Sequence, residues 1–262
     1  LYVLTQDGAM AGLKHYLVPD FSQITNPKLI VSAMGQAFFS MSLGVGTMLV
    51  YGSYIRADEN LPVVGALVTL TDTSVAFLAG LLVLPAIFVA QELGVTIYAE
   101  SGNLIAGPDL IFKVLPALFE GMGVTGLFIG FVFFVLMSIA AVTSSISMLE
   151  VPVSYAVEAH QVDRNKATRL VGLVVLTIST LICLNFDSLF GFVITMTTER
   201  AQPLLSMMLC VFAGWVFYRN SILQELKSGS PDVEQGMFWK IWPVYVKFFC
   251  PVLILLTFAQ GF

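Results

Sequence analysis

An acidic residue stands in the middle of one of the most apolar stretches of this sequence. Asp72 lies eleven residues after Leu61, where that stretch begins. A carboxylate at the centre of a membrane span costs roughly 2.5 to 3.5 kcal/mol to insert, so it normally faces a partner or a water-filled cavity. Thr69 and Thr73 flank it with hydroxyls, which suit a functional Asp as well as a structural one. The alternative is an Asp that is protonated or hydrogen-bonded within a helix bundle.

Polar side chains and glycines interrupt the preceding apolar stretch, in GQAFFSMSLGVG at 35–46. Gln36 and Ser40 are four residues apart and share a helix face. Gly44 and Gly46 favour a break, and irregular backbone within a bilayer survives only where it lines a protein cavity. A break would free carbonyls for a cation, and the resumed helix would favour a carboxylate at its N-terminus. Close helix packing at the glycines is the alternative.

A third polar cluster is AAVTSSISM at 140–148. Ala140, Ser144 and Met148 share a face at fourfold spacing, with Thr143 beside them. Hydroxyl and carbonyl oxygens are hard ligands that suit a hard cation. The alternative is that these hydroxyls bond to the preceding turn or join neighbouring helices.

The composition indicates which elements must position these residues. Of the 262 residues, 57% are hydrophobic and 11% are charged, whereas a soluble domain carries roughly a quarter charged residues. A bilayer core needs about 20 apolar residues per helix. We therefore predict an all-α polytopic membrane protein. It has six spans, at about 30–55, 61–91, 122–157, 168–186, 188–218 and 237–260.

Basic residues in the gaps between spans predict the orientation, because Lys and Arg accumulate on the cytoplasmic side. The gaps after the first, third and fifth spans hold seven of them: Arg56, Arg164, Lys166, Arg169, Arg219, Lys227 and Lys240. The opposite gaps hold Lys14, Lys28 and Lys113, so both chain ends should lie outside. The chain begins at Leu1 rather than Met, and we expect a fragment.

The residues that catalysis would need are missing from the apolar spans. His15 and His160 both lie in predicted loops, and neither a GxSxG nor an HExxH motif occurs. Cys183, Cys210 and Cys250 lack CxxC spacing and are interpreted as buried small hydrophobic residues. We expect no enzyme activity, no cofactor and no nucleic-acid partner.

Four features together resemble the neurotransmitter:sodium symporter family in its bacterial branch: GQAFFSMSLGVG at 35–46, YGSYIR at 51–56, Asp72, and TSSIS at 143–147. The resemblance covers the whole chain but only the second half of a member, spans six to eleven. It implies the leucine-transporter (LeuT) fold, in which the first and sixth helices of two inverted repeats are broken. The break near Gly44 and Gly46 would belong to the sixth helix.

The resemblance also implies a function and a location. Members couple inward sodium flow to the uptake of amino acids or amines, so we expect a sodium-coupled amino-acid symporter. Its partners would be the substrate, the lipid bilayer and the five N-terminal spans of the same protein. It would be a multi-pass protein of the plasma (inner) membrane.

Site residues carry over from the family position by position. Phe39 would cover the bound substrate, and the full set of substrate-binding residues is Phe39, Ser40, Ser42, Val45, Ser144 and Met148. Sodium site one would use Ser40 and Asp72, completed by first-span residues and the substrate carboxylate. Sodium site two would use the Ala140 carbonyl with the Thr143 and Ser144 hydroxyls.

Several positions depart from the family pattern. Asp72 stands where many relatives have Asn, and Ala76 stands where the family has a chloride-linked Ser or an acid. A fixed carboxylate near the sodium would replace the chloride charge, so we expect transport that does not require chloride. Ile194 lies near the position of the usual outer-gate Asp. Glu199 and Arg200 lie deeper in that span and are expected to pair with other spans rather than form the gate.

The remaining expectations concern the outer loop, the substrate and the rival functions. Segment 92–121 should be an extracellular helical loop, or else a surface amphipathic helix, with helical spacing over 108–121. Val45 and Met148 would face the substrate side chain and favour a neutral, hydrophobic amino acid. The alternatives are a cation channel and a truncated membrane partner that does not transport.

Overall fold

Helices account for nearly all of the structure, a computed structural model that describes residues 2–99, 102 and 104–260. Within those residues, the only β pairing is an isolated bridge between Tyr98 and Leu104. The α-helices in the described part are α1 (Ala9–Leu17), α2 (Pro27–Ser40), α3 (Thr47–Tyr54), α4 (Leu61–Glu92), α5 (Gly107–Asp109), α6 (Leu115–Gly121), α7 (Gly123–His160), α8 (Arg164–Leu184), α9 (Phe186–Ile194), α10 (Gln202–Val211), α11 (Arg219–Gly229), α12 (Met237–Val244) and α13 (Cys250–Gln260).

Short wider or tighter helical turns join several of these helices. The π-helical turns are Leu110–Val114, Thr195–Ala201, Phe212–Val216 and Tyr245–Phe249, and the 3₁₀ turns are Tyr2–Thr5 and Phe21–Gln23. A π turn inserts an extra residue into a helix and often marks a functional site. Three of the four π turns here lie within the two C-terminal predicted spans.

Four helices of the described chain are long and apolar enough to cross a membrane: Leu61–Glu92, Gly123–His160, Arg164–Leu184 and Met237–Leu256. Ser188–Val216 and Arg219–Gly229 form a further pair, bent by 99° between them. The sequence had suggested six spans. The first of these, 30–55, is divided into α2 and α3, each of which is shorter than a bilayer requires.

The start of α8 differs from the predicted span at 168–186 for a local reason. The Asp163 side chain accepts a hydrogen bond from the Lys166 N–H at 3.1 Å and caps the helix. The helix therefore begins at Arg164, with a charged first turn that hydropathy cannot detect. It ends at Leu184.

Contacts divide the chain into two compact units, each described by itself. The first contains residues up to Ser22 together with Thr71–Thr143. Its core includes Val89 and Ala90 of α4 and Leu118 of α6, all buried. The helical segment expected over 108–121 is therefore a packed element, formed by α5, a π turn and α6. Its extracellular location stays a prediction.

The second unit contains Gln23–Leu70 together with the chain from Ser144 onward. Within it, α10 packs against both α2 and α13. A smaller apolar core joins α11 and α12 to the start of α4, and its buried members are Leu226, Val233 and Trp239. This unit holds the interrupted helix.

Candidate functional site

The interruption between α2 and α3 is built from residues with positive φ. Ser42 has φ 52°, Gly44 has φ 78° and Gly46 has φ 85°. The left-handed region costs an ordinary residue roughly 1–2 kcal/mol, and glycine very little. Two of the three positions are therefore glycine, and Ser42 carries the strain. Such strained residues concentrate at functional sites.

The break leaves a run of backbone carbonyls without partners in the described chain. The Ser42 N–H donates to the Phe39 carbonyl at 3.1 Å, and the Leu43 N–H donates to the Phe38 carbonyl at 2.9 Å. In the part of the chain that the structure describes, the carbonyls of residues 41–45 accept no hydrogen bond. Because a buried unpaired carbonyl is costly, these oxygens form a ready set of ligands for a cation.

Helix α10 holds the end of α2 in place. The Gln202 side-chain amide donates to the Phe38 carbonyl at 3.2 Å. Gln202 is 4% exposed and Ser206, one turn later, is 5% exposed. A Cβ on Gly44 would collide with the Gln202 carbonyl and the Ser206 hydroxyl. The glycine therefore permits the break to lie directly against α10.

A cavity lies between the break and the C-terminal helices. Its volume is about 530 Å³, and it is lined by parts of α2, the break, α10, the Tyr245–Phe249 turn and α13. Of the six predicted substrate residues, Ser42 lines this cavity. The buried Ser206 hydroxyl also lines it and has no hydrogen-bond partner among the described residues, as is true of the buried Thr47 hydroxyl.

Helix α3, the second half of the broken helix, is fastened to α7. The Tyr51 hydroxyl donates to the Ser147 hydroxyl, and the Tyr54 hydroxyl donates to the Glu150 carboxylate at 2.6 Å. Tyr51 and Tyr54 are three residues apart on α3, as Ser147 and Glu150 are on α7. Both bonds therefore lie on the same face of α7. A Cβ on Gly46 would lie 2.9 Å from a Val151 methyl, which shows how close the two helices are.

Glu150 is the centre of a small polar cluster at this interface. Besides Tyr54, its carboxylate accepts hydrogen bonds from Ser154 at 3.0 Å and from Arg164 at 2.8 Å. The Glu150 side chain is 18% exposed, whereas that of Arg164 is 61% exposed. The carboxylate thus joins α3, α7 and the start of α8 through three donors.

The predicted substrate residues fall on three parts of the second unit. Phe39 and Ser40 are the last two residues of α2, and Phe39 is 52% exposed. Val45 lies in the break. Ser144 and Met148 are exposed residues of α7, and the turn that carries them is next to α3 because Ser147 bonds to Tyr51. Their joint contact with a substrate stays a prediction.

Two of the ligands predicted for sodium site two bond to each other. The Thr143 hydroxyl donates to the Ala140 carbonyl at 2.9 Å, one turn back on α7. This is the bond to the preceding turn that the sequence analysis gave as the alternative for these hydroxyls. Sodium site two, formed by these two residues with Ser144, stays a prediction.

Asp72 belongs to the first unit, where it lies on α4 and is half-buried. One turn before it, the Thr69 hydroxyl donates to the Gly65 carbonyl at 2.9 Å. Thr69 therefore bonds to its own helix. Sodium site one, which pairs Asp72 with Ser40, stays a prediction.

Sequence reasoning missed Gln202, Ser206 and Glu150. Gln202 and Ser206 are polar residues four apart within an apolar span, so they share a face. Glu150 is an acid within a predicted span, as Asp72 is. The same signals that pointed to Gln36, Ser40 and Asp72 were present at these three positions. Only the partners of these side chains, which are remote in sequence, could not be predicted.

Comparisons with known proteins add a second line of evidence. The family model described as "Sodium:neurotransmitter symporter family" matches residues 1–262. An uncharacterized sodium-dependent transporter of Haemophilus influenzae is 33% identical over 98% of this chain and 55% of its own length. One from Bacillus subtilis is 32% identical over 98% of this chain and 56% of its own length.

A solved structure shares the fold. The crystal structure of MhsT in complex with L-phenylalanine superposes with a TM-score of 0.82 at 32% identity, covering 100% of this chain and 58% of that protein. The chain thus spans little more than half the length of the relatives it matches. The LeuT-type fold is confirmed, and with it the multi-pass membrane character. On these matches, the chain belongs to the sodium:neurotransmitter symporter family.

Proposed function

We propose that the protein carrying this chain is a sodium-coupled symporter for a neutral, hydrophobic amino acid, working by alternating access. Family membership supports sodium-coupled transport, since its members are symporters rather than enzymes. MhsT is described with L-phenylalanine bound, which favours an amino-acid substrate. Because the chain is about half as long as these relatives, the other half of the site would come from N-terminal spans.

One observation carries the proposal: the free carbonyls of the broken helix. The carbonyls of residues 41–45 accept no hydrogen bond in the described chain, and α3 begins directly after them at Thr47. Free carbonyls attract an ammonium group or a sodium ion, whereas the N–H groups that open a helix attract a carboxylate. A zwitterionic amino acid with a sodium ion matches both.

Sodium would be transported cargo, held at two places. The adjacent oxygens of Ala140 and Thr143, with the Ser144 hydroxyl, would form sodium site two. Ser40 and Asp72 would contribute to site one. A fixed carboxylate at Asp72 supplies the negative charge that chloride supplies elsewhere, so transport should not require chloride.

The substrate side chain would meet apolar residues. Val45 of the break and Met148 of α7 are the two predicted contacts, and neither carries a charge or a hydrogen-bonding group. A pocket of this kind rejects charged side chains but separates hydrophobic ones by only about 1–3 kcal/mol per methylene. We therefore expect a preference within the hydrophobic amino acids rather than one exclusive substrate.

The direct test is uptake by proteoliposomes that contain the protein carrying this chain. Radiolabelled L-phenylalanine or L-leucine is offered with an inward sodium gradient and, as the control, with potassium in place of sodium. We expect saturable uptake only with sodium, little inhibition by L-glutamate or L-lysine, and unchanged rates when gluconate replaces chloride.

Other outcomes would contradict separate parts of the proposal. An unsaturable cation current would favour a channel. A strict chloride requirement would refute the role given to Asp72, and competition by charged amino acids would refute the substrate class. Full uptake by this chain in the absence of any preceding spans would show that the site is not shared between two halves.

A further inference from the structure

Two of the three cysteines lie against each other inside the second unit. Cys210 is the next-to-last residue of α10 and Cys250 is the first residue of α13, and these two helices pack together. The two thiols form a hydrogen bond to each other. Both cysteines are free rather than joined in a disulfide. The pair is therefore a reduced dithiol whose sulfur atoms are in contact.

The dithiol lies in the wall of the cavity beside the helix break. Besides Cys210 and Cys250, the lining of this cavity includes the thioether side chains of Met34 and Met48. Four sulfur-bearing residues therefore border one space. Among the described residues, no carboxylate or imidazole lines the cavity. Its most abundant potential metal ligands on side chains are thus soft sulfur atoms.

The donor set suits a soft univalent ion better than a divalent one. Sulfur ligands from Cys and Met select soft ions such as Cu(I), whereas carboxylates and carbonyls suit hard ions. Structural zinc is almost always held by four ligands, and in the described chain no third His, Cys, Asp or Glu joins this pair to hold a metal ion. Cu(I) and Ag(I) accept two sulfur ligands in a line. Two thiols are therefore enough for such an ion and too few for zinc.

The hydrogen bond between the two sulfurs shows how an ion is accommodated without a change in charge. Both cysteines lie in segments predicted to span the membrane, where an ionised side chain is costly. A univalent ion takes the place of the proton that the sulfurs share. One S–H bond breaks, one bond from sulfur to the ion forms, and the proton leaves to water. The second sulfur keeps its own proton and donates a lone pair. One positive charge replaces another, so the pair stays neutral and needs no oxidant or reductant.

We propose that Cys210 and Cys250 bind one soft univalent ion, of the Cu(I) or Ag(I) class, between their sulfur atoms. The bound ion joins α10 to α13 at the wall of the cavity, and Met34 and Met48 give that cavity a soft lining. The site differs in chemistry from the proposed sodium sites, which consist of hard oxygen ligands. It does not depend on the proposed transport.

The test uses the detergent-solubilised protein carrying this chain in a chloride-free buffer. Ag⁺ is the probe because, unlike Cu⁺, it is not oxidised by air. An excess of glutathione removes Ag⁺ from isolated thiols, and the silver retained per protein is measured after gel filtration. Calorimetry in two buffers of different ionisation enthalpy measures the protons released.

The variants Cys210→Ser and Cys250→Ser each replace one soft sulfur by a hard oxygen of similar shape. Cys183→Ser is the matched control, since Cys183 is an exposed cysteine on α8. Thermal unfolding without silver identifies the variants that fold. Cys210→Ala or Cys250→Ala takes the place of a serine variant that does not.

We expect the native protein to retain one more Ag⁺ ion than either Cys210→Ser or Cys250→Ser, because neither sulfur holds the ion alone. Each substitution should weaken binding at least about tenfold, the loss that follows when a residue that only hydrogen-bonds to a metal ligand is removed. Cys183→Ser should retain as much silver as the native protein, and one proton should be released per ion. Equal retention by Cys210→Ser or Cys250→Ser, loss of the ion in Cys183→Ser, or release of two protons would each overturn the proposal.

Discussion

Replacing Gly44 with alanine tests the claim that the helix break is built into the structure. Gly44 has φ 78°, and its position against α10 leaves no room for a methyl group. The methyl would collide with the carbonyl of Gln202, which is backbone and cannot rotate away, and with the Ser206 hydroxyl. The substitution therefore forces either the break or α10 to move.

The expected destabilisation has two parts. An alanine held in the left-handed region costs roughly 1–2 kcal/mol, and overpacking a filled interface costs roughly 1–3 kcal/mol. Gly44→Ala should therefore lower stability by about 2–5 kcal/mol. Gly46→Ala should cost less, because its methyl would meet only a Val151 methyl at 2.9 Å, and that side chain can adjust.

The assay is thermal unfolding of the detergent-solubilised protein, combined with sodium-dependent uptake in proteoliposomes. Gly35→Ala is the matched control. Gly35 lies on α2, and a Cβ there would have no atom within 4 Å; alanine also favours a helix over glycine by about 0.8–1 kcal/mol. The order of melting temperatures should be Gly35→Ala highest, then Gly46→Ala, then Gly44→Ala.

The reasoning would be refuted if Gly44→Ala melted at the same temperature as Gly35→Ala and retained full uptake. That result would mean that an ordinary helical backbone is acceptable at residue 44. The free carbonyls of the break would then not be required for transport.

Three further substitutions test contacts of the site. Gln202→Leu removes one of the two hydrogen bonds that the Phe38 carbonyl accepts and should cost about 0.5–1.5 kcal/mol of stability, measured by thermal unfolding. Glu150→Gln weakens three hydrogen bonds to one carboxylate and should cost about 1–2 kcal/mol; Glu225→Gln, at an exposed position, should melt as the native protein does. Thr143→Val should raise the sodium concentration for half-maximal uptake about tenfold, or 1.4 kcal/mol, whereas Ser138→Ala on the same helix should not.

The break was predictable because its chemistry is local. Gly44 and Gly46 are the residues that accept positive φ cheaply, and the polar residues before them mark a stretch that cannot face lipid. The four long apolar helices were predictable in the same way, from runs of apolar residues. The ends of these helices were harder to predict. In α8, for example, the Asp163 cap begins the helix with a charged turn that a hydropathy criterion leaves out.

The partners of the break were not predictable, because they depend on packing between remote segments. The bond from Gln202 to Phe38 joins residues 164 positions apart. Gln202 and Glu150 each carried a recognisable signal, a polar side chain within an apolar span. Which of several helices such a side chain contacts depends on the fold and could not be predicted from the sequence.

The two halves of the broken helix are bonded to different helices. Helix α2 is tied to α10 by Gln202, and α3 is tied to α7 by Tyr51 and Tyr54. A displacement of α7 would therefore move α3 with it, and the backbone would bend at Gly44 and Gly46. Helix α2 would keep its bond to α10. In a continuous helix, the same displacement of α7 would move both halves as one body.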